Sequence, residues 1–181
     1  IAQSVASLLP GCLVSDSAGV FVGWSEQFED STVSRLTRVL LSGAVDPQWP
    51  ANGMALASMT NSRPAVSLDG AGGVYVATVG TPIQGGDAGL RLLRLTAAGL
   101  AAEGWAMPGA MVPNTGPSST RPRLLTTESG VLASWGENSL GSDGTILSAA
   151  LASMGPLPEV ATVGAWSDLV RITWSGGDPG Q

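Results

Sequence analysis

The stretch VSDSAGVFVGWSE, Val14–Glu26, and the stretch SLDGAGGVYVATVG, Ser67–Gly80, follow one pattern: an acidic turn, a glycine, then alternating large residues. A phrase written twice restricts the chain to folds built from equivalent units. With the turn glycines Gly19, Gly73 and Gly130 aligned, the strands that follow fall into register. The first offers Val20, Val22 and Trp24 to one face, the second Val74, Val76 and Thr78, the third Val131, Ala133 and Trp135. Alternation with period two is the mark of a β-strand with one packed face. Before each turn stands a proline, Pro10, Pro64 or Pro122, which is expected to introduce a short strand, because proline is tolerated at a strand's start or edge. Strand, turn, strand is a hairpin, and Asp69–Gly73 (DGAGG) supplies residues that accept positive φ.

A third strand follows an acidic loop. RLTRVLLSG at Arg35–Gly43 matches RLLRLTAAG at Arg91–Gly99, and a tryptophan, Trp49 or Trp105, stands six residues after each closing glycine. Gly53 and Gly109 come four residues later, and MALASM and AMVP then predict a fourth, outer strand. The period is about 55 residues with four short strands per unit, which points to blades of a β-propeller rather than a helical solenoid. A β-sandwich is the alternative all-β reading. The units run over about 10–60, 64–113 and 122–157, with a partial fourth at 158–181, in a single domain spanning 1–181 or a fragment of one. In the fourth, Val170, Ile172 and Trp174 repeat the strand pattern.

The combination of Asp69–Gly73, Trp24 with Glu26, Trp135 with Glu137, and Trp49–Gly53 (WPANG) resembles the blade repeat of bacterial secreted and cell-surface β-propeller proteins. The resemblance covers residues from about 10 to 157. It implies an extracellular or surface location and a binding or assembly role, although propellers carry many functions. Departures occur: Thr78 stands where the other two units have Trp, and LSAALASMG at Leu147–Gly155 lacks the two arginines and the following tryptophan.

Composition narrows the partners. The 181 residues include 25 glycines and 12 prolines, a load suited to many turns and short strands. Lysine is absent, and the eight arginines set against fourteen carboxylates leave a net charge of −6. That charge argues against a nucleic-acid backbone or an anionic membrane surface as partner. The long charge-free stretch Gly104–Thr120 is broken by Pro108, Pro113 and Pro117, so no transmembrane helix is expected. Cys12 is the single cysteine, which excludes an internal disulfide; the LLPGC around it resembles a lipoprotein cleavage site, but a buried strand cysteine is the preferred reading.

No residue is assigned a catalytic, cofactor-binding or metal-ligating role, and no cofactor is expected. Histidine is absent, which removes Ser-His-Asp and Cys-His sites and the usual zinc ligands. The glycine-rich stretches precede strands rather than helices, so they cradle no phosphate. Carboxylates remain: Glu26, Glu29 and Asp30, then Asp87, then Glu137 and Asp143 follow the second strands. Convergence on one face would suit glycoside chemistry or calcium, and a carbohydrate-active propeller, glycoside-processing or sugar-binding, is the alternative function. Solvated acidic loops are the preferred reading. Trp24, Trp135 and Trp174 could stack on sugars but are expected to pack between blades, as are Trp49 and Trp105. Arg38 and Arg94 are expected to pair with the Trp-x-Glu carboxylate of the neighbouring strand.

The expected partner is a protein, or a second chain reached through open strand edges, with a glycan as a further candidate. The chain starts at Ile1, read as the loss of a preceding segment. Ile1–Leu9 stand where an outer strand of a preceding blade belongs. Either they complete the C-terminal hairpin and close a four-bladed ring, or the chain is part of a larger propeller or pairs its edges with another chain; the second is preferred.

Overall fold

The computed structural model describes residues 7–58, 63–83, 85–112, 119–127, 130–138 and 145–153. Among them the chain is all-β: eleven strands and no helix. Strands β1 (Ser7–Ser15), β2 (Gly19–Gln27), β3 (Thr32–Leu40) and β4 (Met54–Ser58) pair antiparallel in chain order. The pattern recurs in β5 (Ala65–Leu68), β6 (Val74–Pro82), β7 (Gly89–Leu95) and β8 (Ala110–Met111). Strands β9 (Ser119–Thr127), β10 (Gly130–Asn138) and β11 (Thr145–Ser153) form a separate three-stranded sheet. A short antiparallel bridge, Ala57 with Pro82 and Ser58 with Thr81, joins the first two groups into one eight-stranded sheet. The described strands close into neither a barrel nor a ring. The hairpin at 170–174 lies outside the described residues.

Each first hairpin is set by its aspartate. The Asp16 carboxylate accepts hydrogen bonds from the amides of Ala18 and Gly19, each at 2.8 Å. Asp69 accepts from Ala71 and Gly73, also at 2.8 Å, over a loop one residue longer. Gly70 and Gly72 in that loop take φ of 75° and 88°, the region a side chain disfavours.

The prolines behave differently from expectation. Only Pro64 immediately precedes its strand; Pro10 and Pro122 lie inside β1 and β9. Pairing shifts register between Pro10 and Cys12, and again where β9 passes Ser134 and Gly136. Both strands are sheet edges, and a bulge lets the missing N–H face away from the ladder. Of the N-terminal stretch, residues 1–6 lie outside the described residues, while Ser7, Leu8 and Leu9 pair with Gln27, Glu26 and Ser25 and so lengthen β1.

The packed face of β2 also differs. Phe21, Gly23 and Ser25 are buried, while Val20, Val22 and Trp24 are only partly so. In β6 every residue from Val74 to Gly80 is buried, and in β10 Gly130, Val131, Ala133 and Trp135 are buried. The cause is stacking. Strand β1 packs on β5 and β5 on β9, so among the described strands the middle group is covered on both faces and each outer group on one. Specific bonds fix the stack. The Cys12 thiol donates to the Pro64 carbonyl at 3.0 Å, and the Trp49 indole N–H to the Ala97 carbonyl at 2.8 Å. The Thr126 hydroxyl meets Ser67 at 2.7 Å and also contacts the Leu68 carbonyl. One contiguous core runs through all three groups, from Phe21 and Leu36 through Tyr75 and Leu92 to Val131 and Trp135.

Candidate functional site

Two buried clusters recur at the turn ends of the first two groups. In the first, Arg38 on β3 lies opposite Phe21 on β2 and reaches the turn carboxylate of Asp16 at 2.9 Å. Its second nitrogen lies 3.9 Å from Asp46, which is also buried. The guanidinium carbon sits 5.0 Å above the Phe21 ring, and Phe21 meets Trp49 edge-on at 6.0 Å between centroids. In the second, Arg94 lies opposite Tyr75 and donates to Asp69 at 2.9 Å. It sits 5.6 Å above the Tyr75 ring, which meets Trp105 edge-on at 6.2 Å. Carboxylate, guanidinium, ring and indole thus form one stacked unit made twice, by charge pairing and by the attraction of a cation for a π face.

This corrects the expected partner of Arg38 and Arg94: it is the turn aspartate rather than the Trp-x-Glu carboxylate. That carboxylate goes to the other arginine. Arg35, opposite Trp24, donates through Nε to Glu26 at 2.6 Å, and the Trp24 indole N–H reaches Glu26 at 3.3 Å. In the second group Thr78 and Gly80 replace Trp24 and Glu26. Arg91 donates to the Gly109 carbonyl at 3.1 Å, as Arg35 does to that of Gly53 at 3.4 Å, and adds the Asp87 carbonyl at 3.3 Å, while its buried Nε has no partner.

Electrostatics follow geometry. Partial burial tends to raise the Asp16 pKa, but the amides of Ala18 and Gly19 together with the Arg38 guanidinium outweigh it and hold the carboxyl below its usual range. Burial pushes the Cys12 thiol up to about 11, which leaves it a thiol at neutral pH and a poor nucleophile. Cys12 is therefore a half-buried strand residue that bonds across to the next group of strands. Burial likewise raises Tyr75, whose hydroxyl has no partner.

The acidic loops do not come together as a site. Glu26 is taken by Arg35. Glu29 and Asp30 are exposed in the turn from β2 to β3, and Asp87 is exposed before β7, with no ion pair among them in the described residues. Side chains of Glu137 and Asp143 lie outside the described residues, as does Trp174. Among the described residues no group of three or more His, Cys, Asp or Glu is placed to hold a metal ion. No described helix is long and apolar enough to cross a membrane. Trp49, Trp105 and Trp135 are buried, whereas Trp24 is partly open, its ring lying where a Cβ on Gly53 would stand. What the described residues offer to other molecules is therefore surface, with Leu8, Leu13 and Leu125 among the exposed large apolar side chains. Comparison with protein-family models, with curated proteins and with solved structures gives no match.

Proposed function

We propose that the chain is a non-catalytic binding or assembly module of β-propeller type, working outside the cytoplasm, secreted or on the cell surface. The observation that carries this reading is the repeated four-stranded antiparallel meander, stacked face to face, with the repeated charges of its turns and third strands spent on internal pairing. Asp16, Asp69, Asp46 and Glu26 are engaged with arginines, and such pairs serve geometry rather than turnover. The location rests on the likeness of the DGAGG, Trp-x-Glu and WPANG segments to bacterial surface repeats.

Two measurements test it. The module hydrolyses none of a broad panel of model glycosides; turnover that disappears in Glu29→Gln or Asp30→Asn replaces this reading with the carbohydrate-active one. Fractionation of the native source recovers the protein outside the cytoplasm, and recovery only in the cytosol refutes the location.

A further inference from the structure

We draw no further inference here: the strongest candidate, the exposed surface turn at 41–45, equivalent to the second group's turn where the Trp49 indole bonds to the Ala97 carbonyl and lies against Gly99, carries nothing because nothing in the structure shows what covers it.

Discussion

Arg38 and Arg35 stand on the same strand three residues apart, yet their burial predicts different consequences. Arg38 is 7% exposed and serves two carboxylates, so Arg38→Ala leaves Asp16 and Asp46 without their cation and costs about 3–5 kcal/mol in urea unfolding. Arg35 is more open, and the loss of its pair with Glu26 costs about 1 kcal/mol. Equal losses for the two would mean that the guanidinium over Phe21 contributes little. Asp16 gives the pH dependence. Its folded pKa lies below the ordinary 3.8, so the native state gains stability from it above that value. This gain is lost as pH falls through the folded pKa, and Asp16→Asn flattens the acid limb of the stability curve. Tyr75 supplies the opposite case. Its hydroxyl is buried without a partner, and Phe21 fills the same position in the first group. Tyr75→Phe therefore leaves stability unchanged or raises it by up to about 1 kcal/mol, by removing a desolvated polar group. A loss above that range would reveal a partner for the hydroxyl.

Among the elements, the hairpins were legible and their faces were not. Gly19, Gly73 and Gly130 start β2, precede β6 and start β10, because turn chemistry is local and glycine with aspartate announces it. The third strands were equally readable from the Arg-Leu-x-Arg repeat. Which face of β2 is packed depends on neighbours in space, and the alternation of Val20, Val22 and Trp24 is equally consistent with Phe21, Gly23 and Ser25 facing inward. The pairing of Arg38 with Asp16 did leave a trace in the sequence. Turn aspartate and strand arginine occur together in the first two groups, while the third has Thr127 near its turn and no arginine in LSAALASMG. That joint loss marks a contact. Burial now separates tryptophans that look alike as letters. Trp135 is 4% exposed, and Trp135→Ala costs about 3–5 kcal/mol. Trp24 is only partly buried, so Trp24→Ala costs about 1–2 kcal/mol in the same denaturation series. The reverse order would show that the outer face of the first group is covered in solution.

For the whole molecule, the period of about 55 residues spoke for equivalent sheets but not for their order of stability, which the stack determines. A group buried on both faces cannot open without breaking two interfaces, whereas an outer group opens by breaking one. Strand β6 lies between β5 and β7 with all its residues from Val74 to Gly80 buried, and β1 is an edge with Leu8 and Leu13 exposed. Amide hydrogen exchange should therefore be slowest in β6 and β7, limited there by global unfolding. It should be intermediate in β2 and β10, each covered on one face, and fastest in β1. Protection that is uniform across all three groups would mean that they unfold as one unit, and that one-sided cover costs the outer sheets nothing.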